Sequence, residues 1–196
     1  MALVDRVRNI CVSPTTEWPV IAQERTDPAT LVVTYLAPLA AVSAIAGFVG
    51  STLLRAVLPF GGLFGGFFYG IVWACIAFLL TILGCYVIAF VINALAPTFG
   101  GRPDFNEAFK TAVYSYTPGL AAGILQIVPF LGAFIIILAS LYGLYLLYLG
   151  LPVVMKSPQD KAVAYTVVVV VCVIVLWFVV TALFGVLGFA SLMMRA

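Results

Sequence analysis

The sequence predicts an all-α membrane protein: a bundle of about five transmembrane helices with an N-terminal interfacial amphipathic helix. Three observations carry this. First, 65% of the 196 residues are hydrophobic and 8% are charged, whereas soluble domains are about half apolar and about a quarter charged. Second, the mean hydropathy is +1.24. Third, apolar runs of the roughly 20 residues needed to cross a bilayer alternate with short polar segments. A chain this long makes one bundle. It divides into a cytoplasmic N-terminal amphipathic segment, 1–27, and a five-span domain, 28–196.

Residues 2–12 place Leu3, Val4, Val7, Ile10 and Cys11 on one helical face and Asp5, Arg6, Arg8 and Asn9 on the other. Such a helix is too short and too charged to span, and lies in the interface. Charges within its first ten residues also argue against a cleavable signal peptide.

A capping residue followed by proline marks four expected helix starts: Ser13-Pro14, Asp27-Pro28, Thr117-Pro118 and Ser157-Pro158. The first span runs from about Leu31 to Leu54. A glycine-rich turn follows, from Pro59 to Gly66. The second span covers about Phe67 to Ala96. The polar segment 97–116 contains a further start at Asp104, with Phe105, Ala108, Phe109, Ala112 and Val113 on one face. A third, short span begins near Pro118 and meets Pro129. Either the preceding helix feeds into it with a kink at Pro118, or it re-enters the membrane. Pro118 and Pro129 are the expected helix breaks. The fourth span covers about Leu131 to Val153, and the fifth about Ala162 to Ala190.

Five crossings put Arg6, Arg8, Arg25, Arg102, Lys110, Lys156 and Lys161 on one side and Arg55 and Arg195 on the other. Seven against two follows the positive-inside rule. The N-terminus is then cytoplasmic and the C-terminus lies on the opposite side.

The sequence offers little chemistry. It contains no histidine, which removes the commonest general acid/base and metal ligand. Cys11, Cys75, Cys85 and Cys172 lack ligand-like spacing. No acid, lysine or arginine falls mid-span, where proton relays and ion paths place them. No catalytic residue, metal or cofactor is expected, and the small net charge of +2 suggests no nucleic-acid partner. The candidate polar intramembrane residues are Asn93, Tyr114, Tyr116 and Gln126. Buried amides in particular need several hydrogen-bond partners. Gly62, Gly66, Gly70 and Ala74 recur every fourth residue, as do Gly119 and Gly123. Such stripes let helix backbones approach closely.

The stretch YSYTPGLAAGILQIVPFLG, through its Tyr114, Tyr116, Thr117 and Pro129, resembles a segment of the Yip-one (Ypt-interacting protein) domain family. The passage YGLYLLYLGLPVVMKSPQDKAVAYTVV, 142–168, is similar to the link between the last two spans of short prokaryotic members. For eukaryotic members the resemblance implies trafficking factors that associate with Rab-type GTPases and with each other. Their long cytosolic N-terminal region is replaced here by about 28 residues containing WPVIAQERTDPA, so a Rab-type partner is not expected. The shortness points to a prokaryotic source and its inner (cytoplasmic) membrane. The functional expectation is a non-catalytic membrane scaffold. Its partners are the bilayer and either further copies of itself or other membrane proteins. The alternative is a small-solute transporter or channel.

Overall fold

The computed structural model describes residues 3–57 and 63–193. Among these, every regular element is a helix. In chain order they are α1 (Leu3–Val12), α2 (Pro14–Gln23), α3 (Pro28–Leu31), a π-turn (Val32–Leu36) leading into α4 (Ala37–Val57), and α5 (Leu63–Leu95). Then come α6 (Phe105–Ala122) with a 3-10 extension (Gly123–Ile127), α7 (Pro129–Val154), a 3-10 turn (Gln159–Lys161) and α8 (Ala162–Met193).

Among the described residues, four stretches are long and apolar enough to cross a membrane: Pro28–Arg55, Phe67–Leu95, Phe130–Val154 and Gln159–Val179. Their outward residues, such as Phe68, Phe90, Phe134 and Phe178, are exposed. Lipid is the solvent that accepts such a surface, because a water-facing protein rarely shows large contiguous apolar patches. The chain is a multi-pass integral membrane protein.

α6 is the axis of the bundle. Asp104 starts it by accepting hydrogen bonds from the backbone N–H groups of Asn106 and Glu107, two donors with no partner inside the helix. Alongside the expected apolar face, Lys110, Thr111, Tyr114, Ser115 and Thr117 are also buried. α4 runs alongside α6 in the same direction, with Tyr35 opposite Thr117 and Ser43 opposite Gln126. α5 runs the other way, with Tyr86 stacking near Phe109 and Phe105. α7 also returns antiparallel: Gly119 faces Ser140, and Gly143 faces the Ser115 carbonyl. α8 is tied to α5 by Tyr165, whose hydroxyl donates to the Ile92 carbonyl at 2.5 Å.

One end of the bundle therefore gathers the N-terminal helices, the loop after α5 and the loop before α8. Arg102 N–H donates to the Met155 carbonyl and joins those two loops. Gly100 turns the first loop with φ +73°, a conformation that costs glycine little.

Several expectations are corrected. Thr117-Pro118 does not start a helix and Pro118 does not break one, since α6 continues to Ala122. Pro118 follows buried Thr117, whose hydroxyl bonds back to the Val113 carbonyl and across to Tyr35. Packing on neighbouring helices compensates for the backbone bond that a helical proline removes. Ser157 is not the cap; the 3-10 turn starts from Pro158. Residues 63–66, expected in a turn, already belong to α5. Finally, α1 packs its apolar face against protein. Ile10 is fully buried, whereas Val4, assigned to the same face, is 72% exposed. Arg6, expected on the polar outer face, is buried.

Candidate functional site

The site is a polar seat where α1 and α2 sit on α6. Its centre is Lys110, on the second turn of α6 and 1% exposed. The ammonium has three N–H donors and no acceptor, and each donor finds an oxygen. Glu107 lies one helical turn back at 2.9 Å. The Ile21 carbonyl is at 3.2 Å and the Glu24 carbonyl at 2.7 Å. The last two belong to the end of α2, where unpaired carbonyls carry partial negative charge and favour a cation. Lys110 thus acts as a C-cap delivered from another helix.

Arg6 completes the seat from α1. It reaches Glu17 at 2.5 Å and also pairs with Glu24. Its guanidinium lies over the Tyr114 ring, 5.8 Å from the centroid, a cation–π arrangement. Burial works against the charged form of Arg6. The hydrogen bond to Glu24 and the charges of Glu24 and Glu17 outweigh it and hold the pKa above its ordinary value.

Aromatic side chains close the seat below. Trp18 meets Tyr114 edge-on at 6.5 Å, and Tyr114 packs on Tyr35 at 4.9 Å. Gly150 on α7 leaves the notch that Trp18 fills: a Cβ there would stand 2.7 Å from the indole ring.

On its opposite side α6 borders a cleft closed by α5, α7 and α8. One part, of about 190 Å³, is lined by Ser115, Tyr116, Gly119 and Ser140 together with α8 valines. The adjoining part, of about 360 Å³, runs along α5 past Gly84 to Ala77 and Trp177. Tyr116 belongs to both.

A family model described as the Yip1 domain matches residues 8–193, from within α1 through α8. The chain belongs to the Yip1 domain family. No curated protein and no solved structure matches it.

The Yip1 domain here separates the polar residues singled out from sequence. Tyr114 enters the seat and Tyr116 the cleft. Gln126 lies in neither. Its side-chain amide donates to Ser43 Oγ at 3.2 Å, beside a polar cavity of about 40 Å³ that Thr81 also lines. Asn93, near the end of α5, has a buried side-chain oxygen without a partner among the described residues.

The small residues divide similarly. A Cβ at Gly70 would press on Phe48 and Thr52 at 2.8 Å, and one at Gly123 would collide with Ser43. Gly119 would meet only Ser140 Oγ, at 3.5 Å. Ala74 lines the cavity beside Gln126. Gly62 lies outside the described residues, as do the surroundings of Gly66. α7 begins at Pro129 after Val128 leaves helical geometry, with φ −106° and ψ 97°.

Sequence reasoning missed Lys110, Arg6, Glu17, Glu24 and Trp18 as one unit. It also missed Gly150, together with Gly50 and Gly132, whose added Cβ atoms would collide with the backbone of the 3-10 segment. The sequence carried no local signal for the buried lysine: Asn106 and Glu107 lie one turn back from Lys110, which is the pattern of an ordinary solvent-facing lysine.

Proposed function

We propose that this Yip1-domain protein is a non-catalytic scaffold that organises a prokaryotic inner membrane, with residues 1–27 as a cytoplasmic cap on a five-pass bundle, 28–196. The fifth pass is α6 with its 3-10 extension. Past Lys110, twelve α-helical and five 3-10 residues extend about 28 Å, so this pass crosses the roughly 30 Å hydrocarbon core with local thinning of the bilayer around it. This parity gathers seven of the nine cations at the cap end, which is then cytoplasmic, and leaves the C-terminus on the opposite side.

The observation that carries the scaffold reading is the buried Lys110 seat. It fixes the cap on the bundle, so the cap's outward residues form a rigid face. Val4, Arg8 and Val12 lie one turn apart along α1 and are all exposed. With Val20 of α2, also exposed, they make a mixed apolar and basic surface. It suits the cytoplasmic leaflet or another membrane protein, including a second copy.

The test is co-purification of tagged full-length protein from native membranes in mild detergent, with mass spectrometry of what accompanies it. A stoichiometric membrane partner lost on Val12→Asp supports the scaffold. The small polar cavity at Gln126, Ser43 and Thr81 favours the second reading, a small-solute path. Solute flux in liposomes that Gln126→Leu abolishes would replace the scaffold with a transporter.

A further inference from the structure

We infer that the cleft between α8 and the α5–α6–α7 face is a lipid site that holds one acyl chain of a bilayer phospholipid. Two glycines mark it. A glycine inside a helix costs about 1 kcal/mol relative to alanine, and close backbone packing commonly accounts for it. Packing does account for Gly70, Gly123, Gly143 and Gly150, where an added Cβ would press on a neighbouring helix. It does not account for Gly84, where an added Cβ meets nothing within 4 Å among the described residues, or for Gly119, where it meets one hydroxyl at ordinary distance. Both glycines line the cleft. Their missing side chains leave room, and that room is not used for contact between helices.

The surroundings choose the occupant. The cleft walls come from α5, α7 and α8, three of the apolar crossing helices, and its rim residues Leu83 and Trp177 are exposed. At this depth the medium is hydrocarbon. From Ile88 to Ala77 the cleft follows α5 for about 16 Å at 1.5 Å per residue, close to the half-thickness of about 15 Å that one leaflet's chains occupy.

Thr81, toward the lower end, spends its hydroxyl on the Ala77 carbonyl of its own helix, so the polar groups left for an occupant lie higher. Ser115 Oγ is buried in the wall with no partner among the described residues, and Tyr116, 43% exposed, lines both parts. These two lie about 8 Å along α6 from Lys110, just beyond an interfacial layer about 6 Å thick. A lipid's ester carbonyl sits at that level and can accept from a hydroxyl, while its charged head remains with the seat's outer rim. The lining includes no ionised side chain, so the cleft suits the chain and ester, not the headgroup.

The test uses the full chain in phosphatidylcholine nanodiscs doped with phosphatidylcholine that carries a diazirine midway along one acyl chain. After illumination, mass spectrometry maps the adducts. The expected result is labelling of residues 77–88 and 112–119 roughly tenfold above the outward face of α7 at Phe134 and Leu138, a preference of about 1.4 kcal/mol. Gly84→Leu, whose Cβ has nothing within 4 Å among the described residues, places a side chain in the cleft and should remove that excess while elution and melting stay unchanged. Gly119→Leu is the second variant. Equal labelling of cleft and outward face would overturn the proposal, as would an excess that survives both substitutions. A cleft that is protected from the probe and cross-links to a second copy would overturn it in favour of a dimer interface.

Discussion

The two sides of α6 solve opposite problems. Toward α1 and α2, its charged group Lys110 is buried, and all three N–H donors reach oxygens at 2.7–3.2 Å. Toward α8, its wall is uncharged and a cleft stays open. The difference shows what each side needs from the membrane. Buried charge is tolerated only when paired and hydrogen-bonded, so the seat must be sealed by the protein itself. An apolar cleft carries no such requirement and can leave the filling to lipid.

The comparison breaks most severely at Lys110. Lys110→Met removes the cation and leaves Glu107 and two α2 carbonyls without their partner. Removing one member of a buried pair costs about 3–5 kcal/mol, and a fall of that size in unfolding free energy is expected in detergent. Trp18→Ala should cost a similar 3–5 kcal/mol, because a fully buried indole leaves a large cavity.

Glycine substitutions sharpen the contrast. Gly150→Ala pushes a methyl group into the Trp18 ring, and overpacking of this kind costs about 1–3 kcal/mol. Gly84→Ala, across α6, should be neutral or stabilising by up to about 1 kcal/mol, because space is available and helix propensity improves. Compared side by side, the melting temperature should fall for Gly150→Ala and hold or rise for Gly84→Ala. Equal losses would erase the distinction between a packed side and an open one.

The smallest effect concerns pH. Asp27 caps α3, accepting from the Thr30 N–H and hydroxyl, and these hydrogen bonds hold its carboxyl below the ordinary value of 3.8. A depressed carboxyl pKa contributes stability that is present above the unfolded value and lost as pH falls through the folded one. Hydrogen-exchange protection factors at residues 29–32, corrected for the intrinsic pH dependence of the rate, should therefore fall only below about pH 4. Asp27→Asn, which keeps a capping oxygen, should lose most of that pH dependence.

Much of the architecture was legible because it is written in local chemistry. Asp104 and Asp27 announce their helices by capping, and four crossing helices announce themselves by length and apolarity. The seat was hidden because it joins residues 86 and 89 positions apart in sequence, and a single lysine or arginine is ordinarily a solvated one. Pro118 misled for a related reason. Local rules make it a helix start or break, but Pro118 is buried and Thr117 beside it is tied to Tyr35, and this packing sustains the helix through it. The stripe at Gly119 and Gly123 was visible as a pattern, yet its two members face different surroundings, one a cleft and the other Ser43. Periodicity cannot separate those roles.

Lys110 seals the cap onto the bundle. Hydrogen exchange of the full chain in nanodiscs tests that seal most directly, comparing residues 14–24 in the unmodified protein and in Lys110→Met. Slow exchange is expected at the end of α2 in the former. In the variant that protection should be lost selectively, while α4, α5 and α7 stay protected. Rapid exchange of residues 14–24 in the unmodified protein, or protection that persists without the lysine, would contradict it.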